Sequence, residues 1–426
     1  MKSLSFIGAG YVGLCNAVGF ASLGYKVIVT DIDEEKVKMI NSGISPIYEA
    51  ELEKNLKAVL DSGLFKATTN FKDAIDNSEV TFICVQTPPR SSGSIDLRHM
   101  IKVAKDIGKC LRKENWHLVV IKSTVVPSNT EEKIIPILEK YSGKIVGEYF
   151  GVCTSPEFLS EGNALNNFFN PDRIVIGEYD EKSGDVLEEV YSCFDSKIPR
   201  LRVDLKTAEM IKYASNAFIG MKISFANEIG NISKILGIDG REVMEGVILD
   251  HRFSKYFSKP GMGFGGPCLK KDISALITEA RNRGYNSRIL KSIIKVNDSQ
   301  TEILLKITKK KIKENNFKKI GILGLSYKEN VSDIRGSQSI RIISELNDEG
   351  VNIIAYDPMA NENMRKLCPE IDYKLSGQEV IDVSDLILIV TDWKEFNDLN
   401  YSGKIVLDGR GIIPKEKCEE YEGICW

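Results

Sequence analysis

One short segment, Gly263-Phe-Gly-Gly-Pro-Cys268-Leu-Lys-Lys-Asp272, combines residue types that can do covalent chemistry. Gly263, Gly265 and Gly266 permit tight turns and let backbone approach a ligand with no Cβ in the way. The apolar run over 273–277 has helical periodicity, which puts Cys268 near a helix N-terminus. There the backbone dipole favours the thiolate. Asp272 follows about one turn later on the same side, where a carboxylate can handle a water or a proton. The pattern fits a covalent nucleophile with an acid–base neighbour. It also fits a Gly-rich loop that ends in a buried structural cysteine.

A second group of candidates lies upstream. Lys212 and Asn216 stand four apart in a helical run from 205 to about 235, interrupted only by Gly220 and Gly230. Both therefore project from one face of a long helix. They read as a functional pair or as a surface lysine with a polar neighbour. Thr87, Thr124, Glu157 and Glu161 stand in loops that follow predicted strands over 80–84, 118–121 and 150–153. In an open parallel sheet such loops face one ligand cleft. Each also reads as a strand-end cap or a solvated turn acid.

The elements that must position these groups begin with a strand over 4–7, then Gly8-Ala-Gly10-Tyr11-Val12-Gly13, a helix over 14–23, and a strand over 27–31 ending in Asp31. This is a dinucleotide-binding pattern in its required setting. Gly8 permits the turn, Gly10 lets a pyrophosphate reach the backbone, and Gly13 allows close packing of helix on strand. The helix N-terminus faces the phosphates. Asp31 can accept hydrogen bonds from a ribose diol and would repel a 2′-phosphate, so NAD is favoured over NADP. Strand and helix then alternate as far as the strand over 150–153 and its loop, with Pro136 expected to kink a helix over 130–141.

The long helix and a second helical stretch over 273–305 make an all-α middle region, and the charged segment 309–316 reads as a boundary. A second α/β unit follows, with strands over 319–323, 351–357, 386–390 and 405–407 and a helix over 337–346. It resembles the first half but lacks the full glycine triplet. Lys328, Asp333, Arg335 and Arg410 are its candidate polar groups toward a second nucleotide-like ligand, unless the domain is purely structural. The expected fold is α/β: two Rossmann-like doubly wound domains joined by a central all-α region with a long helix. The expected boundaries are 1–200, 201–308 and 309–426.

Composition narrows the function classes. The chain has 426 residues, 42% apolar and 27% charged, which suits two or three globular domains. Lys plus Arg (57) nearly balances Asp plus Glu (60), so no broad basic surface for nucleic acid or membrane is implied. No apolar run approaches the ~20 residues of a membrane span. The N-terminus goes directly into a strand rather than a signal peptide. Nine cysteines without paired spacing argue for reduced thiols in a cytoplasm. His99, His117 and His251 are far apart, and no metal site is expected.

Together these residues resemble the UDP-glucose/GDP-mannose dehydrogenase family over essentially the whole chain. The resemblance rests on GAGYVG from Gly8, QTPP around Thr87, KSTVVP around Thr124, SPEFLSEG from Ser155, AEMIKYASN from Ala208, GFGGPCLKKD from Gly263 and SYKENVSDIR from Ser326. It implies a four-electron oxidation of a sugar 6-hydroxyl to a carboxylate, with two NAD+ and one water. Cys268 then resembles the nucleophile, Lys212 and Asn216 the oxyanion-stabilising groups, Asp272 and Thr124 the pair that orders water, and Glu157 an acid–base participant. Asp31, Lys36, Thr87, Thr124, Glu161, Lys271 and Arg335 resemble NAD contacts, beside Gly8 to Gly13. Glu157, Phe158, Leu159, Glu161, Lys212 and Asn216 resemble contacts to the nucleotide sugar. So do Phe257, Ser258, Lys259, Pro260, Gly261, Gly265, Lys328 and Arg410. Arg252 resembles a residue that reaches the substrate of a neighbouring subunit, which implies at least a dimer. Two positions depart from relatives: Pro267, where Ser, Tyr or His is more usual, and Lys270, where proline is common. The lack of His before the cysteine tilts the substrate toward UDP-glucose, with GDP-mannose and UDP-N-acetylhexosamines as alternatives. A non-catalytic NAD and nucleotide-sugar sensor on the same fold is the rival of another class.

Overall fold

The computed structural model describes residues 2–111 and 116–426. It forms two compact units, one running to Ser215 and the other from Asn216 to Trp426. The division falls inside the helix Leu205–Ile235.

Buried runs rich in Val, Ile and Phe build the first sheet. Its strands are β1 (Ser3–Ile7), β2 (Lys26–Thr30), β3 (Phe65–Thr68), β4 (Val80–Ile83), β5 (His117–Ile121), β6 (Phe150–Thr154), β7 (Ile174–Glu178) and β8 (Arg200–Asp204). Their order is β3-β2-β1-β4-β5-β6-β7-β8. β1 to β6 are mutually parallel, as expected, with Leu4 opposite Val27 and Val80. β7 and β8 stand where no strand was expected, and β7 also departs from the parallel pattern. It meets β6 antiparallel, through Cys153 opposite Glu178 and Thr154 opposite Gly177. A fully buried strand shows the same apolar run whichever way it points, so sequence pattern alone does not set its direction. The core packs Phe6, Phe20 and Phe82 in a stack, with Phe6 and Phe82 centroids 4.7 Å apart.

The second unit repeats the plan. Its strands are β9 (Lys319–Leu323), β10 (Asn352–Tyr356), β11 (Asp372–Tyr373), β12 (Leu386–Ile389), β13 (Ile405–Asp408) and β14 (Glu420–Gly423). They are ordered β11-β10-β9-β12-β13-β14, all parallel. This is the order of the first six strands of the other sheet. Before it come three helices, Gly240–Ile248, Leu269–Asn282 and Arg288–Asn315.

The expected stretch over 273–305 is therefore two helices, not one. Gly284, at φ +85°, ends the first, and the Tyr285 N–H reaches back to the Ala280 carbonyl at 2.8 Å. That is a Schellman stop, which needs a left-handed residue at that place. Gly220 and Gly230 do not break the long helix. A Cβ on Gly220 would lie 2.8 Å from Ile273, and one on Gly230 would lie 2.7 Å from Cys425. Both glycines serve close packing. Pro136 stands in the first turn of the helix Ile135–Ser142, just after a π-helical turn over Thr130–Ile134. Its missing N–H costs little there. No helix among the described residues is long and apolar enough to cross a membrane.

Candidate active site

In the first unit, β1 ends on Gly8 at φ +103°, and the helix Tyr11–Ser22 starts at once, with Gly10 in the cap position. No side chain caps that helix. A Cβ on Gly13 would lie 1.8 Å from the Gly8 carbonyl oxygen, so only glycine lets the turn and helix close. A Cβ on Gly10 would meet nothing within 4 Å. The turn thus leaves open room at uncapped helix N–H groups, the setting a pyrophosphate needs. Asp31 lies just past β2. Its Oδ2 accepts the Ala9 N–H at 2.9 Å and its Oδ1 the Asp33 N–H at 3.1 Å. Lys36 is half-buried on the next helix, and Tyr11 and Val12 are half-buried on the first. Thr87 donates its hydroxyl to the Thr124 carbonyl at 2.8 Å, joining the loops after β4 and β5. This chain's own residues fit an NAD molecule at the β1 turn.

The loop after β6 carries Glu157, Phe158, Leu159 and Glu161. Lys212 reaches Glu157 Oε1 at 3.1 Å, and Glu157 Oε2 accepts the Leu159 N–H at 2.6 Å. Both charged side chains are nearly buried. An ion pair so shielded keeps an ammonium and a carboxylate within one proton's reach of each other. Phe158 lies under Arg173, 3.8 Å from its ring centroid, with Lys212 at 5.5 Å. Glu161 is half-buried one residue before Gly162, whose N–H is held by the buried Glu49 at 2.9 Å.

In the second unit, Cys268 is the cap residue of the helix Leu269–Asn282 and is exposed. Every other cysteine is buried or half-buried. Burial pushes the Cys84 thiol up to about 12 and the Cys425 thiol up to about 11, and raises Cys15 and Cys153 as well. Asp272 donates its backbone N–H to the Cys268 carbonyl at 2.9 Å, one helical turn on. Its carboxylate is 1% exposed, accepts the Asn216 amide at 2.6 Å and pairs with Lys271 at 2.6 Å. Lys270 points elsewhere, to Asp298 at 2.7 Å.

The other predicted contacts of this unit fall in two groups. Pro260 is buried against Gly230 of the long helix, and Gly261 and Gly265 are packed against the sheet loops. A Cβ on Gly261 would lie 2.9 Å from the Gly409 carbonyl, and one on Gly265 would lie 2.5 Å from the Gly336 carbonyl. Arg410 donates to the Val390 carbonyl at 2.6 Å and to the Gly263 carbonyl at 3.3 Å. Arg335 pairs with Asp333 at 2.5 Å, and Lys328 is half-buried beside Tyr327. Arg252 is not drawn to these loops. It is exposed and pairs with Asp250 at 2.5 Å. Phe257 and Lys259 are exposed too, Phe257 with φ +60°, whereas Ser258 is buried and bonded to the Ser254 carbonyl at 3.0 Å.

Sequence reasoning missed several groups that hold the site. Glu209 accepts the Ser128 and Thr130 N–H groups at 2.7 and 3.1 Å and so fixes the loop after Thr124. Burial raises its pKa to about 7 against those bonds. Arg173 over Phe158, and the amides Asn227, Asn297 and Gln300, gave no motif. No local signal marked them: Arg173 stands in a loop, and Asn297 and Gln300 lie on a helix rich in charged residues.

Known proteins resolve what this arrangement belongs to. The fold and site define a dehydrogenase with an NAD-binding unit: residues 2–195, 206–299 and 321–415 match the NAD binding, central and UDP binding domains of the UDP-glucose/GDP-mannose dehydrogenase family. The chain is 40% identical to the UDP-glucose 6-dehydrogenase AglM of Haloferax volcanii, over 99% of both. It is 37% identical to the GDP-mannose 6-dehydrogenase of Pseudomonas aeruginosa, over 99% of this chain and 100% of that one. A UDP-glucose dehydrogenase structure from Pyrobaculum islandicum superposes with a TM-score of 0.96 at 38% identity, covering 100% of this chain and 98% of that one. The chain belongs to the UDP-glucose/GDP-mannose dehydrogenase family and is an NAD-dependent nucleotide-sugar dehydrogenase.

Proposed function

We propose that the protein oxidises UDP-glucose at C6 to UDP-glucuronate, through a thioester on Cys268. The observation that carries this reading is the exposed thiol at a helix N-terminus, one turn from a buried carboxylate held by Asn216 and Lys271. Bound NAD+ supplies the hydride acceptor for both oxidations, held by the Gly8–Gly13 turn, Asp31 and Lys36, with Thr87, Thr124, Glu161, Lys271 and Arg335 as further contacts. The hydroxyl proton passes to solvent as C6 becomes an aldehyde. The Cys268 thiolate adds to that carbonyl carbon, and Lys212 and Asn216 stabilise the oxyanion of the thiohemiacetal. A positioned cation and amide in such a site supply ~3 kcal/mol. Loss of the second hydride equivalent leaves a thioester. Asp272 and Thr124 orient water to attack it. Glu157, next to Lys212, takes the water's proton and returns one to the sulfur as the C–S bond breaks, and the Cys268 thiol is regenerated as the sugar carboxylate forms.

Residues Phe158, Leu159, 257–261, Gly265, Lys328 and Arg410 contact the nucleotide sugar in this reading. Segments 1–200, 201–308 and 309–426 carry NAD binding, catalytic helices and nucleotide-sugar binding. The protein works in the cytoplasm, supplying uronate for polysaccharide or related glycans. It acts as a homodimer at least, with Arg252 serving the neighbouring copy. Exposed Phe218, Phe225 and Ile232 recur every seven residues on the long helix and support that association.

The test is NADH formed per mole of sugar consumed, with UDP-glucose, GDP-mannose and UDP-N-acetylhexosamines in turn. Two per UDP-glucose is expected. One would mean that an aldehyde is released and Cys268 has another role. Two with a different sugar would move the specificity and keep the mechanism. None with any would favour a sensor. Cys268→Ser should abolish oxidation to the acid while NAD still binds, and full turnover in that variant would sink the mechanism.

A further inference from the structure

The backbone just ahead of Cys268 is held by side chains from elsewhere in the second unit. Asn227 Oδ1, on the long helix, accepts the Gly261 N–H at 2.8 Å. Gln300 Nε2 donates to the Gly261 carbonyl at 2.7 Å. The Met262 N–H goes to the Gly409 carbonyl at 3.0 Å, and Arg410 donates to the Gly263 carbonyl. Asn297 then takes both groups of Phe264: its Oδ1 accepts the N–H at 2.7 Å and its Nδ2 donates to the carbonyl at 3.1 Å. Gln338 adds a bond to that carbonyl at 3.3 Å.

Asn227, Asn297 and Gln300 are 0%, 2% and 0% exposed. Burying three amides is costly unless they are bonded, and four of the bonds they make go to one loop. Gln300 also accepts the Asn231 amide at 2.7 Å and reaches Cys425 Sγ at 3.7 Å, and Asn227 Nδ2 has no hydrogen-bond partner among the described residues. A primary amide can donate and accept in one plane, as a neighbouring strand would. Asn297 and Gln300 stand three apart on the helix Arg288–Asn315, so one helical face offers both. Gly263 makes the room. It has φ +78°, and a Cβ there would lie 2.5 Å from Asn297 Oδ1. Gly265 and Gly266 continue the close fit, with a Cβ on Gly266 2.7 Å from the Tyr327 ring. The glycines that precede the nucleophile thus serve this clasp.

We propose that Asn227, Asn297 and Gln300 are positioning residues for Cys268. They fix the backbone of 261–264 and, through Gly265-Gly-Pro267, the place of the thiol at the start of its helix. The proposal rests on Cys268 being the nucleophile. The experiment compares full-length Asn297→Asp and Gln300→Met with Thr308→Val. An aspartate sets a carboxylate against the Phe264 carbonyl, and Met keeps volume while deleting the bond to Gly261 together with those to Asn231 and Cys425 Sγ. Thr308 is fully buried on the same helix and, among the described residues, its hydroxyl bonds only its own helix, to the Leu304 carbonyl at 2.8 Å. The readouts are kcat and KM for UDP-glucose, the melting temperature, and the iodoacetamide alkylation rate at Cys268, followed by peptide mass spectrometry.

In both clasp variants kcat should fall on the order of tenfold to a hundredfold, with KM within about threefold and the alkylation rate changed at least about threefold. Thr308→Val should lower the melting temperature and leave both rates within about twofold of the parent. The proposal is overturned if both clasp variants keep kcat and alkylation at parental rates, or if Thr308→Val depresses them equally. Should Asn297→Asp not fold, Gln300→Met decides alone. Full turnover by Cys268→Ser would remove the nucleophile reading, while the alkylation rates of the clasp variants still report on the loop.

Discussion

Gly8 and Gly324 hold equivalent places in the two units. Each follows the first strand of its sheet, at φ +103° and +100°. Each donates its N–H to the last residue of the second strand, Thr30 at 2.8 Å and Tyr356 at 2.9 Å. In each unit the next residue is a carboxylate, Asp31 or Asp357, that accepts an N–H from the glycine turn. There the likeness ends. Asp31 spends its oxygens on Ala9 and Asp33 and stays partly exposed, able to take a ribose diol. Asp357 is 1% exposed. Its Oδ2 accepts from the Leu325 and Ser326 N–H groups, the Ser326 hydroxyl and the Trp393 indole, and its Oδ1 from Met359 and Ala360. Two residues after the glycine, the first unit has the open Gly10 and the second the buried Ser326. The same turn is left open at Gly10 in one unit and sealed in the other. What decides is whether the protein itself satisfies the carboxylate.

Removing the sealed carboxylate breaks the comparison hardest. Asp357→Ala should destabilise the second unit by about 3–5 kcal/mol, because several buried donors lose their acceptor together. A melting temperature within a few degrees of the parent would refute the sealed-joint reading. Acid should act first on the other unit. His117 is buried against Thr81, at 2.8 Å, and burial lowers its pKa to about 4. Its folded pKa lies below the unfolded value of 6.5, so its stability contribution is present above pH 6.5 and lost as pH falls toward 4. That loss amounts to about 3 kcal/mol. His117→Asn should flatten the acid limb of stability against pH, and an unchanged limb would contradict the assignment.

Gly10→Ala sharpens the contrast at the cradle. The new methyl has space, so stability should move by no more than about 1 kcal/mol. NAD affinity should still drop on the order of a hundredfold, read by calorimetry. Ser326→Ala, its counterpart, should do the reverse, costing about 1 kcal/mol of stability and leaving NAD affinity alone. Asp31→Ala has the smallest effect, a loss of about 1 kcal/mol in preference for NAD over NADP. An unchanged preference would remove its ribose role.

Local physics was fully legible in the chain. The glycine turn at Gly8, the run of the long helix and the thiol one turn before Asp272 follow from neighbours in sequence, because turns and helical periodicity are local properties. Nine of the strands followed from apolar runs alternating with helices, whereas β3, β7, β8, β11 and β14 were not read from the chain. The Gly284 stop was written in the sequence as well, in Gly284-Tyr-Asn-Ser287, but continuous apolar periodicity on either side masked it. What only the tertiary structure decided is which polar groups are already spent. Asp31 and Asp357 look alike as strand-end acids, and Asn297 and Gln300 look like ordinary polar residues on a charged helix. Whether each faces a ligand or a backbone partner depends on residues tens of positions away. The cost of an unpaired buried polar group makes those distant partners decisive, and no local pattern records them.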